Sequence, residues 1–223
     1  MSDTESEHRI KINMFGFQAS GKTCLYNIWR GLNIPDEYIK TTEMEFEKIT
    51  VNVDGLKVPV LLSDWGYEVM VTCSTSQQTT INAYSENTDI QIFVIALNSI
   101  DSYEFVEGAP NSVFFKTTGE VQQVAILNKI DLEEDEDLRS KIKTFSDENE
   151  IPIFEVTTTN PELCRKTLID IIDLYLENNP QYKQSLKKGF NNKKSTEKTK
   201  KTSPSLSSSQ SNKTEKQGCC TLF

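Results

Sequence analysis

The first ordered pattern along the chain is an alternation. Ile10, Ile12 and Met14 are separated by Lys11 and Asn13, the two-residue period of a half-buried strand. Leu25, Ile28 and Trp29 then recur at helical spacing between Thr23 and Arg30. Lys48 to Val53 and Lys57 to Ser63 flank Asp54-Gly55, two residues at ease with positive φ, so this stretch reads as a β-hairpin with a type I′ turn. Val124 to Leu127 is a short apolar run suited to a buried parallel strand. Asn160 followed by Pro161 marks a helix start, and Leu163, Leu168, Ile171, Ile172 and Tyr175 make one apolar stripe behind it. Beyond Pro180 the patterning stops. Lys, Ser, Asn and Thr dominate, Ser203 to Ser209 is of low complexity, and almost nothing is apolar until Cys219. Such a stretch cannot bury enough surface to offset chain entropy. The expected organisation is a flexible N-terminus at 1–8, one folded domain at 9–180 and a disordered basic tail at 181–223, without internal repeats.

Composition narrows the class. At 36% hydrophobic residues the chain can fill one good core. The longest apolar run, Ile90 to Leu97 with Gln91 inside it, falls well short of the ~18–20 residues that span a bilayer. Met1 to Arg9 is polar and acidic, unlike a secretory signal. Cys24, Cys73 and Cys164 are scattered and Cys219-Cys220 are adjacent, which does not resemble a disulfide frame and fits a reducing, cytosolic compartment. The net charge of −9 hides a split: residues 183–223 carry +8 and the preceding body −17. The acidic body argues against nucleic acid as a partner, and the basic tail argues for an anionic surface.

Three motifs carry chemistry. Gly16-Phe17-Gln18-Ala19-Ser20-Gly21-Lys22-Thr23 fits G-x-x-x-x-G-K-[ST], in the strand–turn–helix context that a phosphate-binding loop needs. Its backbone N–H groups and the helix N-terminus would face the phosphates. Lys22 would reach the β- and γ-phosphates, the Thr23 hydroxyl would hold Mg²⁺, and Cys24 follows directly. Asn128-Lys129-Ile130-Asp131 ends the Val124 to Leu127 strand. The Asp131 carboxylate there can accept from guanine N1–H and N2–H₂, which adenine does not offer, so an ATPase or P-loop kinase fits poorly. The Lys129 stem can cover the base, and Asn128 can tie this loop to the phosphate loop. Finally, Cys219-Cys220-Thr221-Leu222-Phe223 reads as a C-a-a-X box with Phe last, favouring geranylgeranyl, and Cys219 offers a second acceptor. Two lipid chains, or one with a basic stretch, anchor a protein stably.

These motifs resemble the small GTPases of the Ras superfamily, and the Rab branch in particular, over residues 8–178 and the tail. Tyr38-Ile39-Lys40-Thr41-Thr42-Glu43-Met44-Glu45-Phe46 is similar to the Rab switch I and effector segment, Y-I-x-T-I-G-V-D/E-F. The resemblance implies a P-loop α/β fold, a six-stranded, mostly parallel sheet with helices on both faces. It implies GTP and GDP as ligands, with Mg²⁺ held by Thr23, Thr41 and, through water, Asp64. Lys22 and Thr41 become the candidate catalytic residues. Asp64 and Gly66, and the loop Thr157, Thr158 and Thr159, join the nucleotide set; the Thr158 N–H can donate to guanine O6. The implied partners are prenylation machinery, a GDP-dissociation inhibitor, an exchange factor, a GTPase-activating protein and effectors. The implied place is the cytoplasmic face of an intracellular or plasma membrane, with a cytosolic pool, in vesicle trafficking, as a monomer.

The chain departs from the family where hydrolysis is organised. D-T-A-G-Q-E is replaced by Asp64-Trp65-Gly66-Tyr67-Glu68. Without a gap, Glu68 takes the place of the catalytic glutamine; with one deletion, Gly66 keeps the glycine's place and Tyr67 takes the glutamine's. Neither leaves a glutamine to orient water. Gln18 puts a long side chain where the family has Gly or Ser, crowding that position or orienting water itself. The family's helix after the fourth strand falls at Ser102 to Lys116, where Gly108 and Pro110 predict a short or broken one. Val69 to Thr88 is longer than usual and reads as an elongated, mobile switch II. Ile34 replaces an aromatic beside the guanine, which weakens base stacking, and Ser63 replaces an effector-face aromatic, so that either Trp65 covers the gap or the effector set differs. Slow hydrolysis is therefore expected. A second reading, a prenylated pseudo-GTPase module that is constitutively GTP-bound or nucleotide-poor, stays open.

Overall fold

A strand flanked by helical layers is expected to be apolar on both faces, and the central strands here follow that rule except for one row of polar side chains. The computed structural model describes residues 8–35, 37–72, 88–108, 121–133 and 136–188. Strands β1 (Ile10–Phe15), β2 (Met44–Val53), β3 (Leu56–Trp65), β4 (Ile90–Ala96), β5 (Gln122–Asn128) and β6 (Ile153–Glu155) form one sheet in the order β2-β3-β1-β4-β5-β6. Only the β2–β3 hairpin is antiparallel. Its turn residues Asp54 and Gly55 have φ of 49° and 80°, the two positive values a type I′ turn requires.

The helices are α1 (Lys22–Trp29), α2 (Tyr67–Thr72), α3 (Ile100–Glu107), α4 (Glu136–Asn149) and α5 (Pro161–Asn178), followed by α6 at 180–188. Strand alternation divides the core in two. Ile92 and Val94 of β4 join Leu25 and Ile28 of α1 and Leu168 and Ile171 of α5. Their neighbours Phe93 and Ile95 point the other way, onto Val106 of α3 and Leu138 and Ile142 of α4. Each such buried side chain contributes ~1.5–3 kcal/mol, so the sheet is held from both faces as the resemblance implied. Asn160 Oδ1 accepts from the Leu163 N–H at 3.2 Å and caps α5. The α3 helix stops at Gly108, in line with the short helix expected from its broken pattern.

Two features were not foreseen. First, the body continues past the expected boundary at residue 180. Tyr182 and Leu186 of α6, one turn apart, pack on the α1–α5 side of the core. The Tyr182 hydroxyl donates to the His8 carbonyl at 3.0 Å, and Lys183 pairs with Asp173 at 3.1 Å. Two apolar residues suffice because they meet a finished core instead of having to nucleate one. Second, the polar side of β1 is not a solvent face. Asn13 is 4% exposed. It lies in register with Ser63 on one side and Gln91 on the other, and Gln91 is in register with Gln123. A row of four polar side chains thus crosses the sheet. Asn13 Nδ2 donates to Thr88 Oγ1 at 2.7 Å, Ser63 Oγ to Asn13 Oδ1 at 2.6 Å, and Gln123 Nε2 to Gln91 Oε1 at 3.0 Å. The lengthened part of switch II at 73–87, the segment 109–120 with Pro110, and the tail with Cys219 and Cys220 lie outside the described residues.

Candidate functional site

Strand β1 delivers the chain into the phosphate loop, and α1 begins at Lys22. Gly21 has φ 98°, and a Cβ there would lie 2.1 Å from Asn128 Nδ2, so only glycine lets the loop close at this point. Asn128 Nδ2 donates to the Ser20 carbonyl at 2.8 Å and ties the base loop to the phosphate loop. The Lys22 side chain folds back across the loop. It is 5% exposed, and its Nζ donates to the carbonyls of Gly16 at 2.8 Å and Phe17 at 2.9 Å. Burial lowers its pKa to about 8, against the opposing pull of Asp64.

Three elements converge beside it. Thr23 Oγ1 lies 2.7 Å from Thr41 Oγ1 and donates to Asp64 Oδ2 at 2.5 Å. Asp64 ends up buried at the end of β3, and burial pushes its carboxyl above the usual range while the Thr23 bond and Lys22 pull it down. Its second oxygen, Oδ1, is buried without a hydrogen-bond partner, as is Ser20 Oγ. Two hydroxyls and an under-satisfied carboxylate are the oxygen donors that suit a hard divalent cation, so the residues fit Mg²⁺. A cavity of about 640 Å³ adjoins them, bordered by Gln18, Lys22, Thr41, Tyr67, Lys129 and Thr158, and Cys24 also touches it. That volume suits a small-molecule ligand.

The base end is built from two loops. Lys129 is left-handed at φ 68°. Asp131 is exposed, and its carboxylate accepts from Thr157 Oγ1 at 2.6 Å and Thr159 Oγ1 at 3.4 Å. The Thr157 bond is the chief reason its pKa is lowered, which keeps it an anionic acceptor at neutral pH. That these two threonines orient the carboxylate was not legible in the tripeptide itself, because the partner is a different loop.

The switch segments touch one another. Gly66 N donates to the Glu43 carbonyl at 3.2 Å, and a Cβ on Gly66 would stand 2.6 Å from the Thr41 carbonyl. Tyr67 then stands on the cavity wall, whereas the Glu68 carboxylate is bound to Lys40 at 2.5 Å. Gln18 is exposed into the same cavity. Tyr38 and Ile39 of the effector segment are 66% and 71% exposed. Lys40, Thr42, Glu43 and Glu45 are exposed too, while Met44 and Phe46 are half-buried as β2 begins.

The structure separates the two alternatives at Ser63 and places Ile34. Trp65 does not stand in for the missing effector-face aromatic. It is fully buried, packs on Phe15 at 5.4 Å and donates Nε1 to Ser63 Oγ at 2.9 Å. Residues two apart on a strand share a face, so the side chain that replaces Ser63's missing ring on paper is committed to the same interior. Ile34 packs against the core below α1 and α5 instead of lining the cavity, which Pro35 borders.

Comparison with known proteins agrees with this geometry. The Ras family model matches residues 11–176. Ras-related protein Rab-1C of Dictyostelium discoideum is 26% identical over 182 residues, 81% of this chain and 87% of that protein. Ras-related protein Rab-13 of Rattus norvegicus is 25% identical over 153 residues, 68% of this chain and 72% of its own. The Bos taurus Rab-13 is 27% identical over 128 residues, 57% and 60% of the two chains. Among the described residues no helix is long and apolar enough to cross a membrane.

Proposed function

We propose, on the premise that this chain belongs to the Ras family and is a divergent Rab-like small GTPase, that it is a membrane-bound GTP/GDP switch of vesicle trafficking whose intrinsic hydrolysis is slow. The observation that carries the switch is the meeting of Thr23, Thr41 and Asp64 beside the buried Lys22. A phosphate-loop hydroxyl, a switch I hydroxyl and the carboxylate at the root of switch II hold one point in space. A ligand completing that point binds switch I to the phosphate loop and to the root of switch II, and its loss frees Thr41 and with it switch I.

Each residue has a definable task. Lys22 sets a desolvated ammonium against phosphate charge. Thr23, Thr41 and Asp64 would hold Mg²⁺, which neutralises phosphate charge when bound. Asp131, steered by Thr157 and Thr159, accepts from guanine N1–H and N2–H₂, and the Thr158 N–H is available to O6. The slow step follows from Tyr67 on the cavity wall. A glutamine amide has a donor and an acceptor on separate atoms and can grip water and phosphate together; a phenol has one oxygen for both. Glu68 is a poor substitute, since its carboxylate pairs with Lys40 and would otherwise bring an anion toward the γ-phosphate.

Single-turnover hydrolysis of loaded GTP tests this, and a rate typical of Rab proteins would overturn the slow-hydrolysis part. Nucleotide extracted from the purified chain separates the alternatives: mostly GDP indicates a cycling enzyme, while mostly GTP or none indicates the pseudo-GTPase module. Membrane attachment rests on Cys219, Cys220 and the lysine-rich tail. Replacing both cysteines with serine should release the protein into the cytosol, and retention on membranes would contradict the anchor. A GDP-dissociation inhibitor and prenylation machinery are the corresponding partners.

A further inference from the structure

The phosphate loop carries an aromatic side chain that nucleotide binding does not use. Phe17 is half-buried, and its ring centroid lies 4.7 Å from that of Tyr67 at 66°, an edge-to-face pair. Phe105 of α3 completes the set, 5.5 Å from Tyr67 and 6.3 Å from Phe17. The three rings come from the phosphate loop, the first turn of α2 and α3. Two of these, the phosphate loop and α3, lie outside the two switch segments. We propose that Phe17 and Phe105 are positioning residues that latch Tyr67 to the frame, so that the first turn of switch II stays on the cavity wall whichever nucleotide is bound.

The physical reasoning is differential. A switch segment responds to a γ-phosphate only to the extent that its contacts differ between the two states. Edge-to-face ring pairs are made with protein, not with phosphate, and persist when the phosphate leaves. Gly66 N also donates to Glu43 and Lys40 pairs with Glu68, but both partners lie in switch I, so only the ring contacts are independent of it. Tyr67 is thereby kept where it excludes a water-orienting amide in both states, and the nucleotide response passes to switch I through Thr41.

The test is amide hydrogen exchange of residues 66–72 in the full chain, loaded with GDP or with a non-hydrolysable GTP analogue. The inference uses the nucleotide-switch reading only for this loading, and chromatography of extracted nucleotide verifies it independently. The expected result is exchange within about twofold between the two states, rising about tenfold in the GDP state for Phe105→Leu and Phe17→Leu, the scale of lost ring pairs. Phe17→Tyr should restore the wild-type pattern, and residues 161–178 should be unaffected, which a general loss of stability would not permit. Wild-type exchange that differs tenfold or more between nucleotides overturns the latch, as does an unchanged Phe105→Leu. If no nucleotide can be loaded, the switch reading fails, yet the same variants compared in the free protein still decide whether the rings hold Tyr67.

Discussion

The sharpest quantitative consequence of the site concerns Lys22. The residue is 5% exposed, and burial brings its pKa from the usual 10.5 to about 8. A lysine whose folded pKa lies below its unfolded one binds fewer protons when folded. The unfolded chain therefore holds the extra proton between those two values, and stability rises with pH across that window. Below about pH 8 the penalty is fully present. Between about pH 7 and pH 9.5 these pKa values relieve roughly 2 kcal/mol of a total near 3 kcal/mol. Other groups titrate over the same range, so the quantity to measure is a difference. Lys22→Met keeps the stem and removes the charge. Urea unfolding of the nucleotide-free wild type and of K22M, repeated along the pH series, should show the wild type gaining about 2 kcal/mol on the variant. A difference that stays flat, or that moves in favour of K22M as pH rises, would show that Lys22 is not desolvated and refute the reasoning. The same variant should lose nucleotide binding, so the residue that strains the empty fold is the one the ligand needs.

Three further outcomes follow from neighbouring geometry. Because bound phosphate restores a counter-charge to Lys22, GTP binding near pH 8.5 should take up most of one proton; calorimetry in buffers of different ionisation enthalpy reads it, and zero uptake would contradict the lowered pKa. Gly66→Ala places a methyl 2.6 Å from the Thr41 carbonyl. It should destabilise the fold by ~1–3 kcal/mol and speed nucleotide release, and a silent substitution would show that switch II sits elsewhere. Gln91 is fully buried with Nε2 unpartnered. Gln91→Met removes that donor but also the acceptor of half-buried Gln123, so thermal unfolding should change by no more than about 1 kcal/mol either way, and a loss above ~2 kcal/mol would mean the amide is satisfied in solution.

Much of this was visible in one dimension wherever function is written in contiguous residues. Gly16 to Thr23 and Asn128 to Asp131 are continuous because a backbone loop has to wrap a phosphate chain and a carboxylate has to sit three residues past a strand end. The hairpin was legible because Asp54-Gly55 supplies both positive φ values. The helix of 180–188 was hidden because its stability comes from surface it borrows. Composition counts what a segment carries, whereas Tyr182 and Leu186 use a core built by α1 and α5. The choice at Ser63 stayed open for a related reason: an aromatic beside a vacancy in the sequence can be turned inward by strand parity, and here the Trp65 indole bonds Ser63.

Read alone, the chain specifies the Gly16–Thr23 loop, the Asn128–Asp131 tetrapeptide, the strand and helix periods and the charge split between body and tail. Each depends on a local spacing, 2.0 or 3.6 residues per repeat, or on backbone chemistry within a few residues. Tertiary structure alone decided which side chains become partners across long separations. It set Thr41 and Asp64 on Thr23, aligned Ser63, Asn13, Gln91 and Gln123 in one polar row, and gathered Phe17, Tyr67 and Phe105 into one cluster. Those juxtapositions follow from strand order and register, which no local period encodes, because they are set by how the whole sheet buries both of its faces at once.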